Sequence, residues 1–310
     1  MPTTKARTLK SDLLLLMTAA IWGFAFVAQR AGAEFLGPFI FNGIRFALGS
    51  LWLFPFLLLK ERTKAPADTS GIRWSFGKSI TLLGIILFIA ASFQQIGVAH
   101  TTAGKAGFIT GLYVIIVPIL TILLKKKTAM LTWFSAALAL SGLYLLSMNG
   151  QWIMQKGDLL VLVSAFFWAV HVMVIDFQVD HWEPLSLAFW QFLICSILSL
   201  SFGFFFEVYQ WKAILQAAVP ILYTGLFSVG IGYTLQIVAQ REAHPAHAAI
   251  IMSLEGVFAV IGGWIILTEL LNIRELLGCL LMLTGMLLSQ IHFSRKKPES
   301  GQIFNSSDSM

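Results

Sequence analysis

Two charged residues inside apolar runs are the strongest candidates for chemistry in this sequence. Arg45 is the single charged residue of the run 36–59, and Glu255 lies about eight residues into the run 247–267. A charge that faces hydrocarbon is unfavourable by about 2.5–3.5 kcal/mol or more, so we expect both side chains to face the protein interior. The guanidinium could anchor a carboxylate or phosphate, or it could donate to backbone carbonyls or join an ion pair. The carboxylate could couple to protons or bind an amine, or it could accept hydrogen bonds from helix-end amides or from Arg45.

Aromatic and amide side chains in the other apolar runs extend the set of candidates. Trp22 and Phe26 are separated by one helical turn, as are Trp168 and His171, so the members of each pair share a helix face. These faces could line a cavity or could simply pack against neighbouring helices. The remaining candidates for substrate contact all carry a hydrogen-bonding group: Asn42, Gln94, Gln95, Tyr113, Gln191, Tyr233 and Gln236.

Pro118 and Gly256 are candidates for hinges. Proline lacks the backbone N–H and removes one helical hydrogen bond, so Pro118 predicts a bend. In a helix that lines a pathway such a bend could act in gating, or it could only shape the helix. Gly256, directly after Glu255, permits close packing or bending of the chain.

The sequence lacks the motifs of common enzymes and of metal or nucleotide sites. HPAH (244–247) has His-x-x-His spacing but no further ligand, so we interpret it as the cap of a helix. GIG (230–232) lacks the third glycine and the strand–helix context of a dinucleotide site. His-Glu-x-x-His, Gly-x-Ser-x-Gly and P-loop patterns are absent from the sequence. We therefore expect no catalytic residues, no metal and no cofactor.

The composition is that of a protein embedded in lipid. Hydrophobic residues make up 57% of the chain and charged residues only 12%, against about 25% charged residues in soluble domains. Cys195 and Cys279 fall within apolar runs and are expected to be buried and unpaired. The predicted fold is an all-α polytopic membrane protein with ten transmembrane helices, each near the 20 residues that a span needs. The ten runs are 12–29, 36–59, 79–98, 103–124, 129–148, 157–176, 185–206, 218–239, 247–267 and 273–291.

The distribution of basic residues predicts which ends of these helices face the cytoplasm. With a cytoplasmic N-terminus, fifteen of the 21 Lys and Arg residues lie on the cytoplasmic side and five on the outer side, with Arg45 inside the membrane. This asymmetry matches the positive-inside rule and predicts that both termini are cytoplasmic. The loop 177–184 departs from the rule because it has no basic residue. The basic segment 125–127 is interpreted as a topology signal, and no nucleic-acid partner is expected.

The second half of the chain repeats the first, and the residues that match are mostly aromatic, proline or polar. An offset of 146 residues pairs Trp22 with Trp168, Pro38 with Pro184 and Arg45 with Gln191, and offsets of 140 and 138 pair Phe93 with Tyr233 and Val117 with Glu255. Each half has five predicted spans, so the second copy enters the membrane from the opposite side. Inverted repeats of this kind are typical of secondary transporters, whose substrate sites lie near the midplane between the repeats.

Several segments resemble the EamA-type branch of the drug/metabolite transporter superfamily. They are AAIWG (19–23), IRF (44–46), AGKAGFITGLYVIIVP (103–118), GDLLVLVSAFFWA (157–169), SLEGVFAVIGGWIILTELL (253–271) and LLGCLLMLTGMLL (276–288). The resemblance covers about 12–291, and it implies that helices 1–4 and 6–9 surround a central cavity while helices 5 and 10 are peripheral. It also implies export or exchange of small metabolites without ATP hydrolysis. The family usually has Glu-Pro where this chain has Glu255-Gly256, so the chain lacks the proline that would kink helix 9.

These features predict two EamA-type five-helix repeats, 12–148 and 157–291, joined by an external linker at 149–156. The tails 1–11 and 292–310 are expected in the cytoplasm, and the second of them is expected to be disordered. The predicted function is export or exchange of a small metabolite, such as an amino acid or its derivative, by alternating access in a bacterial inner membrane. A channel-like facilitator and an intramembrane enzyme are the alternatives. The expected partners are the solute, the lipid bilayer and, for exchange, a proton or a second solute; the oligomeric state is not predicted.

Overall fold

The computed structural model describes residues 4–59, 74–120, 130–147, 154–178, 181–208, 210–240 and 251–293. Across these ranges the protein is helical and contains no β-strand. The predicted topology signal at 125–127, the HPAH segment at 244–247 and the tail from residue 298 onward lie outside the described residues.

The helices of the described ranges follow the predicted apolar runs closely. Their bounds are α1 (Thr4–Gly32), α2 (Pro38–Leu59), α3 (Phe76–Val98), α4 (Ala103–Gly111), α5 (Tyr113–Leu120), α6 (Met130–Ser147), α7 (Lys156–Gln178), α8 (Pro184–Phe206), α9 (Trp211–Gln216), α10 (Ala218–Leu222), the π-helical segment π1 (Tyr223–Gly232), α11 (Tyr233–Gln240), α12 (Glu255–Leu267) and α13 (Ile273–Phe293).

Six of the described helices are long and apolar enough to cross a bilayer. They cover Ser11–Gly32, Pro38–Leu59, Phe76–Val98, Lys156–Ile175, Pro184–Phe206 and Ala218–Gln236. Shorter apolar helices cover Ala103–Val117, Trp133–Leu146 and Glu255–Leu267. A chain with this many apolar helices is a multi-pass membrane protein. The count of ten spans stays a prediction.

Helices of the two halves pack against each other in matched pairs. α2 packs along α8, α4 along α12 and α6 along α13. α3 packs along α7, and its counterpart is the packing of α1 against π1 and α11. If each helix is replaced by the helix at the corresponding place in the other half of the chain, the same packed pairs result. The packing therefore has an approximate two-fold relation between the halves.

Glycine permits a close crossing between α6 and α13. A Cβ atom built on Gly278 would lie 2.7 Å from the carbonyl oxygen of Gly142, and one built on Gly142 would lie 2.6 Å from that of Gly278. Small residues are common where membrane helices meet, because backbone approach gives van der Waals contact that lipid cannot replace. The α6–α13 pair is thus held together by direct backbone contact.

The predicted helix 103–124 is interrupted at Leu112, which separates α4 from α5. Leu112 N–H donates to the Ile109 carbonyl at 3.2 Å, and Ile115 N–H donates to the Leu112 carbonyl at 2.9 Å. Each of these hydrogen bonds joins residues three apart, as in a 3₁₀-helix, and so tightens the backbone. Gly111, a poor helix former, directly precedes the break. Pro118 lies in α5, more than one turn further on, so this interruption is distinct from the bend predicted at the proline.

A second irregularity is π1, which divides the predicted run 218–239 into α10, π1 and α11. Its glycines lie against bulky neighbours: a Cβ on Gly230 would be 2.6 Å from the Trp52 ring, and one on Gly232 would be 2.6 Å from Trp22 Nε1. The prediction that GIG (230–232) packs between helices agrees with these contacts. π-Helical turns are rare and often occur at functional sites.

Carboxylates from the second half cap helices of the first half at one end of the bundle. Glu207 accepts hydrogen bonds from Phe39 N at 2.9 Å and from Ile40 N at 2.8 Å, at the start of α2. Negative charge is favourable beside the free N–H groups of a helix N-terminus. Lys105 of α4 forms an ion pair with Glu275 of α13 at 2.6 Å. We call this the Lys105 end.

At the opposite end, α3 is bonded to α7. Ser79 Oγ donates to Gln178 Oε1 at 2.9 Å, and both side chains are fully buried. Trp182 packs edge-to-face on Phe76 at a centroid distance of 5.2 Å. We call this the Ser79 end. Polar contacts between helices therefore occur at both ends of the bundle.

The α6–α13 crossing gives a first prediction. Gly278→Ala places a methyl group against the backbone of α6, and such overpacking is expected to destabilise the protein by about 1–3 kcal/mol. The melting temperature of the protein in detergent should fall. Gly77→Ala is the matched control, because a Cβ at that position meets nothing within 4 Å. Equal melting temperatures for the two variants would contradict the crossing described here.

Candidate functional site

Arg45 is buried in the middle of the bundle and is oriented by Asn42. Its side chain is 3% exposed, and its Nε donates to Asn42 Oδ1 at 2.9 Å. The amide of Asn42 in turn donates to the Ala91 carbonyl of α3 at 3.0 Å. The guanidinium carbon lies over the Phe46 ring, 4.8 Å from its centroid. These two bonds hold the Asn42 side chain between Arg45 and α3, and its contact with substrate stays a prediction.

The described residues offer Arg45 no carboxylate partner. Their ion pairs do not include one between Arg45 and Glu255. The hydrogen bond to Asn42 uses Nε alone, so the two terminal nitrogens form no hydrogen bond within the described part of the chain. The sequence-based alternative that Arg45 is paired with Glu255 is therefore not the arrangement in this structure.

Glu255 is the first residue of α12 and is 3% exposed. With twelve helical steps to Leu267, it lies about 18 Å from the Lys105 end, which places it deep in the bundle. Its Oε1 is buried and has no hydrogen-bond partner among the described residues. α1 approaches the backbone of α12 closely at this residue, since a Cβ on Gly23 would lie 2.7 Å from the Glu255 carbonyl oxygen.

Two tyrosines connect the surroundings of the two charges. Tyr233 lies within electrostatic reach of both Arg45 and Glu255, and Tyr113 lies within reach of Glu255 and Tyr233. A phenol can donate or accept a hydrogen bond, so either tyrosine could contact a polar ligand. We call Arg45, Tyr113, Tyr233 and Glu255 the central cluster.

Aromatic rings surround Tyr233. Trp22 and Phe192 each make an edge-to-face contact with it, at centroid distances of 5.2 and 5.1 Å. Trp22 is also held in place, because its Nε1 donates to the Ser228 carbonyl of π1 at 3.1 Å. The predicted cavity residue Trp22 thus joins α1 to the irregular segment and contributes an apolar wall beside the central cluster.

His171 and Gln191 form a second buried polar group. His171 Nε2 lies 2.8 Å from Gln191 Oε1, and both side chains are at most 3% exposed. Trp168 meets the His171 ring edge-on at 5.7 Å, and its buried Nε1 has no hydrogen-bond partner among the described residues. Trp168 and Tyr233 both pack against the core group that contains Phe46 and Phe192. This group therefore adjoins the central cluster.

The remaining predicted contacts have different surroundings. Gln94 Nε2 donates to Thr110 Oγ1 at 3.3 Å, and Gln95 Nε2 donates to the Gln29 carbonyl at 3.0 Å. These bonds tie α3 to α4 and to α1. Gln236 is half-buried on α11. A Cβ on Gly256 would lie 3.1 Å from the Phe108 ring, so this glycine permits close packing of α12 on α4.

A polar pocket at the Lys105 end was not anticipated from the sequence. It has a volume of about 480 Å³ and is lined by Arg30, Ala99, His100, Thr101, Thr102, Lys105, Gln155 and Glu269. Glu269 accepts a hydrogen bond from Ala103 N at 2.8 Å. Burial raises the pKa of Glu269, while the Ala103 amide and Arg30 oppose that shift. Sequence spacing gives no signal for this pocket because its residues come from four separate segments of the chain.

A model of the EamA-like transporter family matches residues 9–148 and again residues 155–290. Two copies of the family unit therefore follow one another in the chain, in agreement with the internal repeat. The matched residues include Arg45 in the first copy and Glu255 in the second.

Relatives and a solved structure agree with this match. An "Uncharacterized transporter" of Archaeoglobus fulgidus is 32% identical over 91% of this chain and 86% of its own length. A "Probable amino-acid metabolite efflux pump" of Salmonella typhimurium is 26% identical over 92% of this chain and 96% of its own length. A crystal structure superposes with a TM-score of 0.65 at 16% identity, over 92% of this chain and 98% of the other.

The structure similarity supports the helical fold, and the sequence relationship extends over nearly the whole chain. The resemblance stated from the motifs is confirmed. This chain belongs to the EamA-like transporter family, and it is a multi-pass membrane transporter of the drug/metabolite transporter type.

Proposed function

We propose that the protein is a secondary transporter that exports or exchanges an amino acid or a closely related metabolite by alternating access. The family assignment supplies the transporter class, and the name of the Salmonella relative supports the substrate class. The observation that carries the proposal is the central cluster. It contains a buried cation and a buried anion, each from a different repeat, that form no ion pair with each other in the described residues.

The charges of the central cluster complement those of a zwitterion. The free nitrogens of Arg45 suit a carboxylate, which guanidinium binds through two parallel hydrogen bonds. The free oxygen of Glu255 suits an ammonium group. Tyr113 and Tyr233 add neutral hydrogen-bonding groups, and Trp22 and its neighbours offer an apolar wall for a side chain. In a site that excludes water, these contacts are stronger than in solution.

The proposed architecture is ten spans in two inverted repeats, 12–148 and 157–291, with the linker 149–156 outside. The two-fold relation of the helix packing supports it. In a bacterial inner membrane both termini would face the cytoplasm, by the positive-inside rule. The Lys105 end is then external and the Ser79 end cytoplasmic.

Contacts at the Lys105 end suit a closed external gate. The Lys105–Glu275 pair is largely shielded from solvent, with side chains 6% and 12% exposed, and Glu269 caps α4 from the segment that follows α12. Both contacts join the first repeat to the second. Opening this end breaks both contacts. The lost stabilisation is compensated only if substrate or water interacts with the charges that become exposed. Alternating access therefore requires breaking and re-forming a small number of polar contacts.

The function is tested by counterflow in liposomes that contain the purified protein. Vesicles preloaded with individual unlabelled amino acids should accumulate the same labelled amino acid transiently and saturably. Transient accumulation requires a carrier that exposes one site alternately, so a channel gives equilibration without overshoot. Failure of every standard amino acid to produce counterflow would remove this substrate class.

Arg45 variants test the carboxylate anchor. Arg45→Lys keeps the charge but loses the two-pronged geometry, and Arg45→Gln introduces the residue found at the repeat-related position. Loss of a charge-assisted hydrogen bond of about 1.5–3 kcal/mol predicts about 10- to 150-fold weaker substrate binding for Arg45→Gln. The measurements are the half-saturation concentration in counterflow and the melting temperature.

Arg274→Gln is the control, because Arg274 lies at the Lys105 end, over the Tyr144 ring at 5.6 Å. Its half-saturation concentration should match that of the unchanged protein. Normal affinity and a lowered melting temperature in Arg45→Gln would instead leave Arg45 with a structural role.

Accessibility of introduced cysteines tests the gate. In a background with Cys195 and Cys279 replaced by alanine, Ala103→Cys reports the external end of α4 and Met252→Cys the segment before α12, both at most 4% exposed. Substrate should change their labelling by a membrane-impermeant maleimide in opposite directions. Glu275→Gln should increase labelling at 103, whereas Glu34→Gln, at an exposed acid of the same end, should not. Parallel changes at both positions would argue for a channel.

A further inference from the structure

The polar pocket at the Lys105 end contains side chains that have no partner in the described part of the chain. Its volume is about 480 Å³, and Arg30, His100 and Gln155 contribute to its lining. The guanidinium of Arg30 forms no hydrogen bond and no ion pair with any described residue. The side chains of His100 and Gln155 likewise form no hydrogen bond within the described ranges. We call this cavity the Arg30 pocket.

Three other polar groups of the Arg30 pocket are held by neighbouring groups. Lys105 forms its ion pair with Glu275 of α13. Thr101 Oγ1 donates to Asp158 Oδ1 of α7, and Thr102 Oγ1 accepts from Lys105 N at 3.2 Å. The groups left to contact a ligand are therefore a guanidinium, an imidazole, an amide and one carboxylate.

Glu269 supplies that carboxylate, and an unusual turn of the backbone precedes it. Thr268 has a φ of 54° and a ψ of 26°, in the left-handed region that a β-branched residue rarely adopts. Strain of this kind persists where the surrounding structure fixes it, and it is common at ligand-binding sites. After this turn Glu269 N–H donates to the Gly263 carbonyl at 3.0 Å, and Glu269 Oε2 accepts from Ala103 N at 2.8 Å. Its side chain is partly exposed to the pocket.

The charges of Arg30 and Glu269 act on each other without direct contact. Arg30 lowers the pKa of the Glu269 carboxylate, against the larger effect of burial, which raises that pKa. The two side chains nevertheless form no ion pair. A ligand that carries a carboxylate and an ammonium group can satisfy both, since guanidinium binds a carboxylate through two parallel hydrogen bonds and a carboxylate binds an ammonium.

We propose that the Arg30 pocket is a second solute site, at which a zwitterionic solute binds on the outer side of the closed external gate. The class of solute rests on the proposed function. Arg30 binds the carboxylate of the solute, Glu269 binds its ammonium group, and His100 and Gln155 add hydrogen bonds. In the proposed topology this pocket faces the external solution. It therefore receives solute from outside during exchange and from the central cluster during export.

The Arg30 pocket shares two side chains with the external gate. Glu269 caps α4, and Lys105 joins α4 to α13. An ammonium group beside Glu269 competes with the Ala103 amide for the same carboxylate and so weakens the cap. Binding in the pocket therefore favours release of α4 before the solute reaches the central cluster.

The two sites are expected to differ in affinity. Arg45 and Glu255 are each 3% exposed, whereas Arg30 and Glu269 are partly exposed. Water screens charges at an exposed site, so the same ion pairs are weaker there than in the interior. Solute should therefore fill the Arg30 pocket at higher concentrations than the central cluster.

Protection of an introduced cysteine tests the site. With Cys195 and Cys279 replaced by alanine, Ala99→Cys places a thiol in the lining of the pocket. The rate of its reaction with a maleimide is measured in detergent, with an equimolar mixture of the neutral standard amino acids as the probe. The mixture should slow the reaction saturably.

Derivatives of the same amino acids test the requirement for two charges. Amino acid amides lack the carboxylate, and N-acetyl amino acids lack the ammonium group. Loss of one charge-assisted contact predicts that each derivative protects only at about tenfold higher concentration. Protection by either derivative at the same concentration as the free amino acids would overturn the assignment of a zwitterion.

Variants of the two charged residues test their roles in the Ala99→Cys protein. Arg30→Gln removes the guanidinium, and Glu269→Gln removes the negative charge but keeps an oxygen that can accept from Ala103 N. Each should raise the concentration for half-protection about tenfold. Glu34→Gln, at an exposed acid of the same end, should leave it unchanged. Melting temperatures show which variants are folded, and unaltered protection in folded Arg30→Gln protein would overturn the proposal.

Arg45→Gln separates the Arg30 pocket from the central cluster. If solute bound only at the centre and slowed labelling at position 99 by moving helices, this variant would weaken the protection. The same concentration dependence in folded Arg45→Gln protein would support a separate site. Loss of protection in that protein would overturn it.

Counterflow with the same amino acid mixture separates failure of this inference from failure of the proposed function. Saturable counterflow without protection at position 99 would overturn the second site and leave the transporter intact. Protection without counterflow would support the second site and overturn the proposed function. Absence of both would overturn both.

Discussion

The burial of two unpaired opposite charges is the constraint on which the rest of this structure depends. Arg45 and Glu255 are each 3% exposed and form no ion pair with each other in the described residues. Such groups can be kept in a membrane protein only if other helices screen them from lipid. The cation–π contact with Phe46 and the bond to Asn42 stabilise the guanidinium partially. In the proposed function, a charged ligand supplies the interactions that these groups still lack.

The surrounding scaffold combines tight apolar contacts with polar contacts at its ends. Gly142 and Gly278 allow α6 and α13 to pack backbone against backbone. This pair corresponds to the predicted peripheral helices 5 and 10. Nearer the centre, α1 also approaches α12 closely at Gly23, and side-chain hydrogen bonds such as that of Gln95 with the Gln29 carbonyl add polar links between helices. A few hydrogen bonds and ion pairs can be exchanged at modest free-energy change, whereas a glycine-packed crossing cannot slide without steric conflict. Movement in a transport cycle is therefore expected at the polar contacts.

The positions of long helices could be predicted because hydrophobic length is a property of local sequence. The runs 36–59 and 185–206 coincide with α2 and α8 to within two residues. The break at Leu112 and the segment π1 could not, since an apolar run does not itself indicate where the backbone hydrogen bonds change their spacing. Among the candidate site residues, burial of Arg45 and Glu255 followed from the unfavourable transfer of charge into lipid. The roles of Asn42 and Gln95 depend on which helix lies opposite, and the spacing of residues within one helix does not encode that.

The two repeats carry different residues at the positions of Arg45 and Glu255, and this difference gives the central cluster one positive and one negative group. Arg45 corresponds to Gln191, and Glu255 corresponds to Val117, so neither charge has a charged counterpart. If the repeats were identical at these positions, each charge would have a copy of the same sign on the other repeat. The two like charges would repel each other, and they would favour a ligand with two charges of the opposite sign. With one cation and one anion on different repeats, the zwitterion of the proposed function would be held only when both repeats contact it. Because the attraction falls with distance, relative movement of the repeats changes the affinity of the site, and binding of the substrate in turn favours the arrangement in which the two charges are brought towards it.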